Sequence, residues 1–187
     1  RLSVFESSLE KSEDSYKKGR SLRWLIKSEK ETGWAYRLVG SLEKAEQHYE
    51  KAMNLCIKHD ILAYKELQND YVMILNNLAF VYSNTGITRG IAKNYADNAI
   101  AYSQKFNYQK GLGAGYLTRG IIFYRRGDFL SALEEFKLSI EIFQRLQQTD
   151  WLGQVYAWRG ATYRGLKEYQ KAEEDLNEAL KIGPENL

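Results

Sequence analysis

Proline occurs once, at Pro184, and cysteine once, at Cys56, in a chain with two histidines and a net charge of only +3. Each scarcity excludes something. With one proline and few β-branched runs, nothing interrupts long helices, and helix is favoured throughout. A lone cysteine makes no internal disulfide, which agrees with a reducing compartment. No apolar run approaches the roughly 18 residues of a membrane span, and no charged-apolar-small leader opens the chain, so no membrane partner is expected and the simplest compartment is cytoplasmic. Two histidines on one predicted helix build no Ser-His-Asp constellation, and the carboxylates fall on solvated helical faces. The chain reads as a non-enzyme without a cofactor.

What is present is an ordinary globular composition, 44% hydrophobic and 27% charged over 187 residues, enough to bury a sizeable core. The chain opens on Arg1 rather than Met, which reads as a fragment or a processed protein.

The organising signal is an internal repeat. Small residues at Ser12, Ala45, Ala92, Ala132 and Ala172 recur at intervals of 33, 47, 40 and 40. Periods of this size mark a solenoid or array. The segment LEKSEDSYKKGRSL, Leu9 to Leu22, matches LEKAEQHYEKAMNL, Leu42 to Leu55, at seven of fourteen positions. The layout that follows is one domain over 1–187, with a half repeat over 1–22 and helix pairs over about 23–60, 69–107, 108–147 and 150–187. The interval of 47 is accounted for by the long turn NTGITRG and by the extra segment Asp60 to Gln68. Gly40, Gly86, Gly127 and Gly165 are placed where helices stop, and Asp128 and Ser41 where they are capped.

The small residues Gly33, Ala79, Gly120 and Gly160 face Ala45, Ala92, Ala132 and Ala172 across each predicted pair, so the two helices approach closely. The run Lys110-Gly111-Leu112-Gly113-Ala114-Gly115 lacks the preceding strand of a nucleotide loop and reads as a helix start that lets its neighbours come near. His48, Cys56 and His59 share one helical face. At 1.5 Å of rise per residue, however, His48 and Cys56 are roughly 12 Å apart, too far for one metal ion. No metal site is expected.

These units resemble tetratricopeptide repeats. Tyr156, Gly160, Tyr163, Ala172, Leu176, Ala179 and Pro184 carry the motif in the fourth unit, and Tyr116, Gly120, Phe123, Ala132 and Phe136 in the third. Gly33, Tyr36, Ala45, Tyr49 and Ala52 carry it in the first, and Ala79, Tyr82, Ala92 and Ala99 in the second. The spacing is similar to the long variety found in bacterial signalling regulators. The resemblance implies an all-α, right-handed superhelical solenoid of antiparallel helix pairs, whose first helices line a concave groove. The predicted first helices hold about ten basic and two acidic residues, and their partners about eleven and thirteen. The groove is therefore expected to be positive.

Carried over position by position, the resemblance implies a partner-binding groove of Lys27, Lys30, Trp34 and Arg37 in the first unit, and of Met73, Asn76, Asn77, Phe80 and Asn84 in the second. The third adds Leu117, Ile121, Tyr124 and Arg125, and the fourth Gln154, Trp158 and Arg164. Basic residues and side-chain amides beside aromatics suit an extended protein segment, acidic or C-terminal, because Arg and Lys pair with carboxylates while amides bond the peptide backbone. The leading expectation is a protein-interaction module. A sensor domain of a larger signalling regulator is the alternative. Nucleic-acid binding through Arg119, Arg125, Arg126, Arg159 and Arg164 comes third, because the whole-chain charge is weak for it. The chain ends at Leu187 without an obvious capping helix, which reads as a longer parent or an end that packs on a partner, and self-association through unsealed ends is a further reading.

Overall fold

A computed structural model describes residues 2–59, 64–84 and 89–182, with side chains from residue 20 onward except 89. Among the described residues the chain is helical, with no strand. The helices are α1 (Leu2–Leu38), α2 (Leu42–Lys58), α3 (Gln68–Asn84), α4 (Arg89–Lys105), α5 (Gln109–Arg125), α6 (Phe129–Arg145), α7 (Thr149–Gly165) and α8 (Tyr169–Ile182), with a single 3₁₀ turn at Lys65–Leu67. None of them is long and apolar enough to cross a membrane. The expected turn residue Gly86 and the closing Pro184 lie outside the described residues.

The chain divides into two compact units, Arg1–Tyr71 and Val72–Leu187. In the first, α1 packs on α2. The expected half repeat does not end near residue 22, because α1 runs unbroken from Leu2 to Leu38. The only helix-weakening residue there is Gly19, and a lone glycine costs about 1 kcal/mol, too little to stop a helix. Gly33 brings α1 onto α2, since a Cβ there would lie 2.8 Å from the ring of the fully buried Tyr49.

In the second unit successive helices are antiparallel. Gly120 of α5 lies against Phe136 of α6, while Gly113, two turns earlier, meets Ile142 and Phe143 near the other end of α6. Likewise Gly160 of α7 meets Ala172 and Leu176, and Gly153 meets Ile182. Helices two apart instead run the same way. Along α3, Val72 lies by Gly111 at the start of α5, and Ser83 bonds Arg125 at its end. Pairs stacked on pairs in this fashion form a helical-repeat solenoid. Its core joins Ala114, Leu117, Ile121, Ala132, Phe136, Ile140, Phe143, Leu152 and Val155. The glycine run of α5 is buried on three sides, with Gly111 against Val72 and Tyr108, Gly113 against α6, and Gly115 against Ile100 of α4.

The turns use left-handed residues at Gly40 and Gly127, as expected, but also at Asn107, Gln147 and Lys167. Gly165 belongs to the end of α7, and Lys167 reverses the chain in its place. A Cβ at Gly165 would come within 2.7 Å of the Phe129 ring, so this glycine serves packing rather than chain reversal. Asp128 caps α6 by accepting from the Ser131 amide at 3.2 Å. Ser41 makes no side-chain cap.

Candidate functional site

Because α3, α5 and α7 run in one direction within the second unit, side chains at matching turns form rows across them. The clearest row crosses near their C-terminal ends. Arg125 of α5 lies between two aromatic faces, its guanidinium carbon 5.4 Å from the Phe80 ring of α3 and 5.6 Å from the Trp158 ring of α7. Its Nη1 donates to Ser83 Oγ at 2.6 Å, and that hydroxyl donates to the Phe80 carbonyl. Tyr124 meets Trp158 edge-on at 5.6 Å. Burial beside these rings desolvates the guanidinium and lowers the Arg125 pKa from its ordinary value. Among the described residues no carboxylate pairs with Arg125.

The other expected groove residues divide into three groups. Met73, Phe80, Tyr124 and Trp158 are half-buried, packed on the core from its edge. Asn77 and Gln154 are half-exposed beside them, Asn84 is exposed and donates to the Phe80 carbonyl at 2.8 Å, and Arg164 is exposed. Leu117, Ile121 and Asn76 are buried and present no surface. Leu117 and Ile121 belong to the core, and Asn76 Nδ2 donates to the Gly111 carbonyl at 3.3 Å. In the first unit Lys27 and Trp34 are exposed, and Arg37 is half-buried beside Tyr49. Lys30 is tied to Asp70 at 2.5 Å and Glu31 at 3.2 Å. Burial alone would lower its pKa, but these carboxylates outweigh it and raise the value.

The excess of basic residues on the first helices of each pair also has a structural explanation. Arg119 of α5 bridges Asp97 of α4 at 2.9 Å and Glu135 of α6 at 3.0 Å. Arg159 of α7 makes a two-pronged bond to Asp175 of α8, 2.7 Å through Nε and 2.6 Å through Nη2. Each of these arginines also lies over the tyrosine one turn earlier, Tyr116 or Tyr156. The bond to Asp175 raises the Arg159 pKa against the effect of burial. For Asp97, burial would raise the pKa, but hydrogen bonds from Lys93 and Arg119 lower it. Burial holds Glu135 above its ordinary value despite Arg119. These cations clasp one helix to the next, so the surface is less positive than the uneven division of charge implies. The signal was present in the sequence, since Arg119 and Glu135 recur in register as Arg159 and Asp175.

His48, singled out for its soft-ligand chemistry, bonds Glu29 at 2.6 Å and stacks on Tyr36, whereas Cys56 is buried and His59 exposed. The described site thus consists of aromatic, amide and cationic side chains on a helical-repeat face. Residues 111–185 match the family model of the tetratricopeptide repeat, and over that stretch the chain carries tetratricopeptide repeats. The crystal structure of BtubC (BKLC) from P. vanneervenii is similar in fold, with a TM-score of 0.64 and 21% sequence identity over 94% of this chain and 76% of that one. No curated protein sequence matches the chain.

Proposed function

We propose that this protein is a protein-interaction module of the cytoplasm, which binds an extended segment of a partner across α3, α5 and α7 and takes a partner carboxylate on Arg125. Tetratricopeptide repeats in general mediate protein–protein contacts, and the finer reading rests on one observation. Arg125 is a half-buried guanidinium held rigid by Phe80, Trp158 and Ser83, with no acidic partner among the described residues. A desolvated cation that lacks a counter-charge gains most from an incoming carboxylate, and its fixed planar fork favours two-point contact. The half-exposed amides Asn77 and Gln154 flank it and suit the peptide backbone of the same segment. Aromatic rings supply apolar area at low entropic cost. The role is binding rather than catalysis.

A displayed library of random peptides, with free C-termini in one half and blocked C-termini in the other, tests the reading. Enriched peptides should carry a carboxylate, and the free-ended half distinguishes a terminal from a side-chain acid. By calorimetry, Arg125→Gln should weaken the best peptide about tenfold or more, since a charge-assisted hydrogen bond is worth about 1.5–3 kcal/mol. Unchanged affinity in Arg125→Gln, or enrichment without acids, would remove Arg125 from the site.

A further inference from the structure

The repeat register relates two exposed faces, one in each unit, to an interface inside the second unit. Within the second unit α6 and α7 pack on each other. From α7, Trp151 stacks on Phe143 with centroids 5.2 Å apart, and Leu152 is buried in the core. From α6, Phe129 lies against Gly165, and Phe136 and Ile140 are buried. When Gly33 of α1 is aligned with Gly160 of α7, Trp24 falls on Trp151 and Leu25 on Leu152. Yet Trp24 is 72% and Leu25 41% exposed. When Ala172 of α8 is aligned with Ala132 of α6, Tyr169, Leu176 and Leu180 fall on Phe129, Phe136 and Ile140. Here Tyr169 is 65% and Leu180 53% exposed.

One face therefore carries the α7 half of the α6–α7 contact, and the other carries the α6 half. Large apolar side chains are left open in both. Exposed apolar groups in such a row mark an interaction surface; the match changes at Phe143, which falls on Gly183, and at Gly165, which falls on Leu38, itself apolar and 61% exposed. The charges agree with this pairing. Beside Leu25, a cleft of about 330 Å³ is lined by Leu55, Lys51, Lys58, Asn54 and Glu29. Arg23 and Lys27 are exposed on α1 close to Trp24. On α8, Glu173 lies in the same stripe as Tyr169, Leu176 and Leu180, where α6 has Leu133, and Glu174 and Glu178 flank it, all exposed. The charges around the two faces are thus mainly basic on one and acidic on the other.

We infer that a second copy of this chain covers these faces, with α8 of one molecule seated on α1 and α2 of the next in the manner of α6 on α7. The contact is head-to-tail, so both faces of every molecule remain usable and assembly continues along a line unless it closes into a ring. The lysine and glutamate rims make it salt-sensitive.

Sedimentation velocity of the full chain over a rising concentration series tests this. The average mass should climb with concentration and fall back in high salt. Trp24→Glu, which disables one face, and Leu180→Lys, which disables the other, should each sediment as monomers. An equimolar mixture should give a one-to-one dimer and nothing larger, because the intact α8 face of Trp24→Glu fits the intact α1 face of Leu180→Lys. Both positions are exposed, and retained helicity by circular dichroism checks the fold. Leu25→Asp and Tyr169→Lys form a second pair should either variant misfold. A wild-type chain that stays monomeric overturns the inference. So does a mixture that fails to pair, or loss of assembly in only one of the two variants, since each of these denies that the two faces meet.

Discussion

The α1–α2 pair of the first unit and the α5–α6 pair of the second solve one packing problem with opposite choices of size. In register, Ile26 of α1 corresponds to Gly113 of α5, and Cys56 of α2 to Phe143 of α6. All four are buried. In α5–α6 the missing side chain of Gly113 admits the Phe143 ring, for a Cβ there would lie 2.9 Å from it. In α1–α2 the bulk sits on the first helix and the small thiol on the second. The α3–α4 positions, Val72 and Ser103, repeat the latter arrangement, and both are fully buried. In these three pairs volume is therefore held across the facing sites, and either helix can supply it.

The largest effects come from breaking that trade. Ile26→Ala removes bulk from a fully buried site and should cost about 2–5 kcal/mol. Cys56→Phe adds bulk opposite an intact Ile26 and should cost about 1–3 kcal/mol by overpacking. If the sites share one volume, the double variant should be less destabilised than the sum of the two, with a coupling on the order of 1 kcal/mol. Urea unfolding followed through Trp24 and Trp34, with Trp151 and Trp158 replaced by Phe, measures this in the first unit. Simple additivity would show that the two positions do not share a space.

A smaller effect separates two glycines that occupy one register position. A Cβ at Gly120 would lie 2.5 Å from the fully buried Phe136 ring, whereas at Gly160 the nearest atoms, the Ala172 carbonyl oxygen and Leu176 Cγ, are 3.1 Å away. Alanine in a helix interior gains about 1 kcal/mol over glycine. Gly160→Ala should therefore be close to neutral, and Gly120→Ala should destabilise by about 1–3 kcal/mol, read from urea midpoints through Trp151 and Trp158. Equal responses would mean that Phe136 moves aside freely.

This sensitivity explains which parts of the fold were legible in the sequence. The spacing of Gly33, Ala79, Gly120 and Gly160 against their alanines is dictated by helix contact, which is why a repeating helical fold was legible. The long α1 was missed because a repeat boundary was expected where no residue enforces one. Lys167 rather than Gly165 carries the left-handed turn because chain reversal depends on the length of α7, not on the position of the nearest glycine. On the candidate face, Phe80, Tyr124 and Trp158 were assigned through the resemblance to tetratricopeptide repeats. Leu117, Ile121 and Asn76 were assigned to the surface and are buried, because Asn76 lies under α5 and Leu117 and Ile121 lie in the core that α5 shares with α6 and α7. The charge of the face was overestimated for a related reason. Summing charges per helix hid the pairing of Arg119 and Arg159 with acids on neighbouring helices.

Cys56 provides the finest test, because its counterpart Phe143 cannot titrate. Burial, with a smaller contribution from Asp70, pushes the Cys56 thiol up to about 12, whereas an unfolded thiol titrates near 8.5. The folded state therefore keeps a proton that the unfolded state releases. The stability this contributes is whole below about pH 8.5 and is lost as pH rises toward about 12. Tyr49 is also pushed up to about 12 by burial, but it is common to the wild type and to a Cys56→Ala variant, so it cancels in their difference. Between about pH 9 and 11 the first-unit urea midpoint should fall more steeply in the wild type than in Cys56→Ala, by on the order of 1–3 kcal/mol over the interval. A thiol-reactive dye at pH 8 should label native Cys56 far more slowly than the unfolded chain, because both access and thiolate are withheld. Parallel pH profiles together with rapid native labelling would show that Cys56 is solvated, and that the small side of the α1–α2 pair is an opening rather than a packed site.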